Sequence, residues 1–327
     1  MFRIVSICML AAFLTVGTVY GEDGDGGYAG AFFQVPAGAR PTAMGGAYLA
    51  VSNDGAAPLF NPAGLARLTR PLFGSSYRAM AQDRSLGYVT VVFPVRGESS
   101  LGAHWLFAGS GAVETRDADG YPLGRDFSQN NHQFTILFAK RFEKFVSFGA
   151  NLSYLYSTMS ELDANSVGFD FGLMFYMDHF FSRENRDQMA IRDIQVGLTV
   201  KHISKTYKWN SEKYNLMYTS DDLGSEQTDE VPIEFGLGTS ARFLQRRLLV
   251  AADLLKSAHQ GAAFHAGAEY YVSQEFALRG GFSDGRLTAG TGYLFKVSGN
   301  QLAIDYAFST DKADEGSEHI FSLDLLF

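Results

Sequence analysis

The sequence predicts an all-β protein, a transmembrane antiparallel β-barrel of about 14 strands with an N-terminal hatch, or plug, inside its lumen. Three observations carry this expectation. From about Pro71 to Phe327, run after run alternates apolar residues with small or polar ones, as a strand with two unlike faces requires. Ahead of these runs lies Gly38–Leu65, GARPTAMGGAYLAVSNDGAAPLFNPAGL, which is small, nearly uncharged and without strand or helix periodicity. Such a stretch cannot pair its own backbone donors and acceptors, so a surrounding structure must do so. Third, the connections between the alternating runs are long and short in turn, as in membrane barrels.

The first 21 residues read as a secretory signal. Arg3 supplies the positive start, Ile4 to Val16 an apolar core, and Val19-Tyr20-Gly21 a small-residue cleavage site before Glu22. The core falls short of the ~20 apolar residues that a spanning helix needs. Cys8, the single cysteine, lies within it, so the processed chain would hold no disulfide, no thiolate nucleophile and no cysteine metal site. Glu22 to Gly27, EDGDGG, is a flexible acidic start. Residues 22–70 then form leader and hatch, and Asn61-Pro62 is a turn signal that redirects the chain at the hatch's end.

Residues 71–327 are the barrel. Its clearest strands run through Val146–Tyr156, Val167–Met177, Ile194–Val200, Val231–Leu237, Phe264–Tyr270, Leu302–Phe308 and Phe321–Phe327. Weaker runs lie near 72–79, 86–95, 100–108, 132–142, 247–256, 275–283 and 286–296. Each approaches the roughly 9–11 residues that cross a membrane at a tilt. With the C-terminus in the periplasm, connections 109–131, 157–165, 204–230, 257–261, 284–285 and 309–318 fall outside. Connections 96–98, 143–144, 244–246, 273–275 and 297–299 fall inside and are short. One breaks the rule: 178–193, DHFFSRENRDQMAIRD, is long on the periplasmic side, as a tolerated insertion, a small helix or a docking element would be. Phe327, closing an alternating strand, is the kind of terminal aromatic that the outer-membrane assembly machinery reads.

Composition agrees and excludes other classes. A length of 327 residues would suggest two soluble domains, but a large barrel is one domain of this size. Only 19% of residues are charged, and 35 Gly accompany 14% aromatics, which suits strands with one greasy and one small face. The net charge of −8 argues against nucleic acid as a partner. The histidines (His104, His132, His179, His202, His259, His265, His319) show no metal-ligand spacing, and no G-x-S-x-G marks a nucleophile. Gly109-Ser110-Gly111 lacks the strand–helix context of a phosphate loop. No catalytic residue, metal or cofactor is expected, and the chain does not read as an enzyme.

The charged residues on the small strand faces are more informative. Asp170, Glu234, Arg242, Asp253, Glu269, Arg279, Arg286, Asp305 and Asp324 sit opposite the apolar stripes and are expected to point into the lumen. The alternative, Arg or Lys toward lipid near the midplane, costs about 2–4 kcal/mol. If Ser273-Gln274-Glu275 is a turn, Glu269 lies directly opposite Arg279 and the two form a cross-strand ion pair. These charges either satisfy each other and the hatch backbone or line a gated path. Loop 204–230 carries Tyr207, Trp209, Tyr214, Leu216, Met217 and Tyr218 amid lysines, an amphipathic face that can meet a ligand or anchor at the membrane interface.

The two ends also carry a resemblance. Gly38-Ala39-Arg40, Met44-Gly45-Gly46-Ala47 and Asn61-Pro62-Ala63-Gly64-Leu65, followed by His265-Ala266-Gly267-Ala268-Glu269-Tyr270, Leu278-Arg279-Gly280-Gly281, Ile304-Asp305-Tyr306-Ala307-Phe308 and Phe327, resemble the PorV/PorQ family. That family consists of outer-membrane barrels related to the FadL fatty-acid transporters. The middle of the chain matches only as spaced strands. The resemblance implies a bacterial outer-membrane location and a hatch around Gly45, Gly46, Asn61, Pro62 and Gly64. It also implies passive uptake of a hydrophobic ligand met by Trp209, Tyr214 and Met217, with outer-membrane lipid around the barrel. Two other roles fit: a PorV-like part of type IX secretion that binds secreted cargo, and a purely structural barrel.

Overall fold

The computed structural model describes residues 29–117, 119–160, 162–180, 190–210, 227–259, 261–283, 285–310 and 316–327. The proposed signal, the acidic start, Tyr214, Met217 and most of connection 178–193 lie outside them.

Among the described residues eighteen strands follow one another: β1 (Leu72–Ala79), β2 (Ser85–Val95), β3 (Ser99–Gly109), β4 (Val113–Arg116), β5 (Pro122–Phe127), β6 (Gln129–Phe142), β7 (Val146–Met159), β8 (Leu162–Tyr176), β9 (Arg192–Ile203), β10 (Thr206–Asn210), β11 (Gln227–Glu230), β12 (Glu234–Phe243), β13 (Leu248–Ser257), β14 (Ala262–Tyr271), β15 (Phe276–Ser283), β16 (Arg286–Val297), β17 (Asn300–Thr310) and β18 (Ser317–Leu326). Fourteen of them form a closed antiparallel barrel, in which each strand pairs with the next barrel strand in the chain. Closure is between first and last, from Leu72↔Leu326 to Ala79↔His319. No edge remains in the ring, which removes the unpaired donors and acceptors that an open sheet would present.

The alternation decides which face points where. Along β7, Ser147, Gly149, Asn151, Ser153, Leu155 and Ser157 are buried, while Leu152, Tyr154 and Tyr156 are exposed. Along β8, Gly168, Asp170 and Gly172 are buried between exposed Val167, Phe169 and Phe171. The greasy face is therefore the outside of the barrel and the small or polar face the inside, the arrangement of a barrel in an apolar surround. No helix among the described residues is long and apolar enough to cross a membrane.

The structure departs from the pattern reading in the long connections. Residues 109–131 contain the hairpin β4–β5, which pairs with no barrel strand. Residues 204–230 contain β10 and β11, and β10 continues the wall by pairing with the far end of β8, Lys208↔Asn165. The run Val231–Leu237 is shifted: β12 begins at Glu234, and Val231 is buried with Leu155, Ala164 and Tyr207 instead of facing outward. Its N–H is already donated to the Lys205 carbonyl, so the backbone there belongs to the loop and not to the ladder.

Residues 29–70 make two short α-helices, α1 (Ala39–Ala43) and α2 (Ala57–Phe60), and 3-10 turns at Ala31–Gln34 and Pro62–Arg67. Met44, Ala47, Tyr48, Leu49, Ala50 and Leu65 in this stretch are almost completely buried. The stretch packs against the inner face: α1 contacts β15 to β18, and the 62–67 turn contacts β3, β6, β7 and β8.

Candidate functional site

Glycine on the inner face is where the N-terminal segment touches the wall. A Cβ on Gly149 would run into the backbone of Pro62 and Ala63, and one on Gly267 or Gly281 into that of Met44 and Gly45. Gly45 and Gly46 themselves turn the chain with φ of 64° and 81°, the left-handed region that glycine enters freely. A Cβ on Gly64 would overlap the Ser52 carbonyl.

Polar wall residues finish the contact by pairing the segment's backbone. Asp253 accepts from the N–H groups of Tyr48 at 2.6 Å and Leu49 at 2.8 Å. Asp324 accepts from the N–H of Gly55 at 3.0 Å. Asn151 donates to the Pro58 carbonyl at 2.8 Å, Ser100 to Leu65 at 2.8 Å, and Ser240 to Ala50 at 2.9 Å. Asn61 works from the segment's side: its Oδ1 caps the Pro62–Arg67 turn through the Ala63 N–H, and its Nδ2 donates to the carbonyls of Leu49 and Leu173. An aperiodic buried backbone must find such partners, since each unmade bond costs about 1–3 kcal/mol.

Arg40 is the hub of the charges. Its Nε and one terminal nitrogen hold both oxygens of Glu269 at 2.8 and 3.0 Å, and the other terminal nitrogen reaches Asn53 at 2.7 Å and Asp54 at 3.2 Å. Glu269 stands opposite Arg279 in the β14–β15 ladder and accepts from its Nε at 2.7 Å, while Arg279 donates onward to Asp305 at 2.6 Å. The chain Asp54–Arg40–Glu269–Arg279–Asp305 thus runs from the segment to residues on three wall strands, β14, β15 and β17. Burial alone would discourage the charge on Arg40, but the carboxylates of Glu269 and Asp54 and the Tyr48 phenol around it leave its pKa well above the usual guanidinium value. Tyr48, desolvated beside Asp54 and bonded to it, is held well above the usual phenol range.

The remaining predicted charges divide between the two mouths. Asp170 accepts from Lys205 at 3.0 Å and from the His202 N–H at 2.8 Å, where the β8–β9 register is broken. Glu234 pairs with Lys201 at 2.7 Å. Arg286 borders the cavity on this side, that of the long connections. Arg242 stays in register with the inward-facing Leu249 of β13, two residues before the short turn. At the end of β12 it lies at the mouth with the short turns, near Asp193 and over the Tyr271 ring. Trp209, on β10, donates its indole N–H to Asp229 at 2.6 Å and packs near Phe33 and Tyr207.

Two cavities lie at opposite mouths, with the segment between them. The one at the long-connection mouth holds about 670 Å3, and Phe32, Phe33, Phe60, Leu106 and Leu255 line it beside the Lys205–Asp170 and Lys201–Glu234 pairs. Phe33 stacks near His202 at 4.8 Å, and Lys205 lies over its ring at 4.9 Å. The other cavity, about 730 Å3, opens at the short-turn mouth. Sequence reasoning missed Arg40, Phe32, Phe33 and Phe60 as site residues. Arg40 had a signal, being the lone cation of Gly38–Leu65; the phenylalanines had none, since their partners come from distant strands.

No protein-family model matches this chain, and no curated protein matches it in sequence. Among solved structures it is similar to the Pseudomonas putida toluene transporter TodX, with a TM-score of 0.59 at 14% identity over 89% of this chain and 97% of that one. It is similar to the CymD monoaromatic hydrocarbon channel, TM-score 0.59 at 12% identity over 89% and 96%. A Pseudomonas aeruginosa FadL homologue gives a TM-score of 0.53 at 13% identity over 86% and 95%. The chain has the fold of FadL-type barrels.

Proposed function

We propose that the protein is an outer-membrane channel for passive entry of a hydrophobic small molecule. Residues 1–21 act as its signal peptide, 22–70 as leader and hatch, and 71–327 as the barrel. The observation that carries this reading is the pair of cavities at the two mouths with a buried segment between them, in a fold shared with hydrocarbon channels. Ligand enters at the cavity lined by Phe32, Phe33 and Phe60, and passes once Gly45, Gly46 and the Asn61–Gly64 turn yield. The ion pairs around that cavity suit a ligand with some polar character better than a pure hydrocarbon. Trp209, Tyr214 and Met217 meet ligand earlier, on the outer loop.

Flux into proteoliposomes tests the reading. Labelled toluene and labelled oleate should each be compared with empty vesicles, and at least one should enter faster through the protein. Leu106→Asp, which puts a charge into the apolar lining, should lower that uptake about tenfold. Absence of uptake for both probes removes the transport reading and leaves the structural barrel. A secreted protein retained by the purified barrel would favour the secretion role instead.

The membrane position has its own test. Ile136 is 62% exposed on the outer face of β6. Ile136→Lys should reduce folding stability in lipid bilayers by about 2–4 kcal/mol, read from urea titrations. An unchanged midpoint would place this face outside the hydrocarbon.

A further inference from the structure

Three neighbouring wall strands, β3, β6 and β7, carry on their inner faces buried hydrogen-bond acceptors that none of the described residues pairs. His104, Gln133 and Asn151 are only 3%, 3% and 2% exposed, and His104 Nε2, Gln133 Oε1 and Asn151 Oδ1 each lack a partner among the described residues. The bonds of their other atoms fix their character. Thr90 gives its one hydroxyl proton to the Gly55 carbonyl at 2.7 Å, so its oxygen accepts from His104 Nδ1 at 2.6 Å. The neutral imidazole then presents Nε2 as a bare acceptor. Gln133 donates its Nε2 to Thr135 at 3.0 Å, and Asn151 donates its Nδ2 to the Pro58 carbonyl and to Asp170, which leaves the amide oxygen of each.

Their positions follow from the ladder. His104 stands opposite Thr135, and Gln133 lies two residues from Thr135 on the same face, so the two are diagonal neighbours about 7–8 Å apart. Gln133 also lines the cavity at the long-connection mouth, beside Leu106. In the ring of fourteen the strand facing β6 is β15, seven places away, and β15 carries Arg279. The segment is therefore clamped by charge toward β14 and β15, and across the lumen it meets a wall of neutral groups with unused acceptors.

We infer that the ligand of this cavity is a neutral hydrophobic molecule bearing a hydroxyl, and that Gln133 receives the hydroxyl, with His104 and Asn151 as the next acceptors along the same wall. The inference rests on the channel reading above and names the chemistry of its ligand. A hydrocarbon leaves the acceptors unpaired, and a carboxylate, which only accepts, has no proton to give them. A phenol or an alkanol supplies one donor on an apolar body, and Phe32, Phe33 and Phe60 line the cavity for that body. A site whose buried groups pair a ligand hydroxyl discriminates strongly against the same molecule without it, because those groups then stay unpaired.

The test is equilibrium dialysis of tritiated 2-naphthol and tritiated 2-methylnaphthalene, which are alike in size, against the full chain in lipid nanodiscs, with empty nanodiscs as the blank. Naphthol should bind saturably and about tenfold or more tightly than methylnaphthalene. Gln133→Met and Gln133→Leu, made separately, should each abolish that preference while methylnaphthalene binding persists. Ser309→Ala, on β17 and outside the cavity, should leave it unchanged. An unaltered heat-dependent gel shift confirms that each variant barrel is intact. Equal affinity for the two probes, or a preference that survives both Gln133 variants, overturns the inference and leaves the unpaired acceptors to water, with the channel reading untouched. No saturable binding of either probe also overturns it, and the toluene and oleate uptake assay then decides the channel reading by itself.

Discussion

Glu269→Gln should destabilise the barrel by about 3–5 kcal/mol, because it leaves two buried guanidiniums without the carboxylate between them. The Glu269 side chain is fully buried and accepts from Arg40 twice and from Arg279 once. Glutamine keeps the shape but offers one acceptor oxygen and no charge. The loss should appear as a lower urea midpoint for the folded, heat-shifted band on gels. Faster cleavage of the N-terminal segment by chymotrypsin, which cuts after aromatic residues such as Phe60, should accompany it. Arg40→Met alone should also be costly, since it leaves Glu269 with Arg279 alone and takes the guanidinium away from Asp54. Combining Arg40→Met with Glu269→Met should cost less than the sum, since replacing a buried pair by apolar side chains is often nearly neutral. Strict additivity of the two substitutions would show that Arg40 and Glu269 do not act as a pair.

Gly281→Val should open the barrel to ions. The glycine lies on the inner face of β15, and its missing Cβ is filled by Met44 and Gly45, with the Gly45 Cα at 2.8 Å from where it would stand. Backbone cannot move aside as a flexible side chain could, so the segment must leave its seat. The strand itself tolerates valine, a β-branched residue that suits a pleated wall. In planar bilayers the protein should conduct little, and Gly281→Val should raise conductance about tenfold or more, as removal of a plug from a wide barrel does. Gly280→Val is the internal control. One residue away and on the opposite face, a Cβ there has no neighbour closer than the Thr288 carbonyl oxygen at 3.9 Å, so it should stay silent. Equal conductance in the two variants would mean that the effect comes from the strand and not from the segment.

The same one-residue contrast shows why the barrel was legible. In a strand, the face of each side chain depends only on its parity, so alternation locates the wall without knowledge of any partner. All 14 wall strands coincide with runs read from the pattern. The opposition of Glu269 and Arg279 follows from the same parity plus a tight turn. Where the ladder gives way to a loop, the reading slipped: the loop-bound Val231 was counted as wall. The hairpins β4–β5 and β10–β11 were invisible for a related reason. They are only four to six residues each, too short for alternation to stand out within long polar connections.

By itself, then, the sequence determined the strands, their inner and outer faces and the need of Gly38–Leu65 for a container, all of which depend on neighbours along the chain. Only the tertiary structure decided what that segment meets. Arg40 and Glu269 are 229 positions apart, and Gly55 and Asp324 are 269 apart. Such pairings follow from how the closed ring brings strands around a filled lumen, and no local period records them. The two cavities are likewise properties of closure: each is the space left at one mouth when the segment takes its place between them.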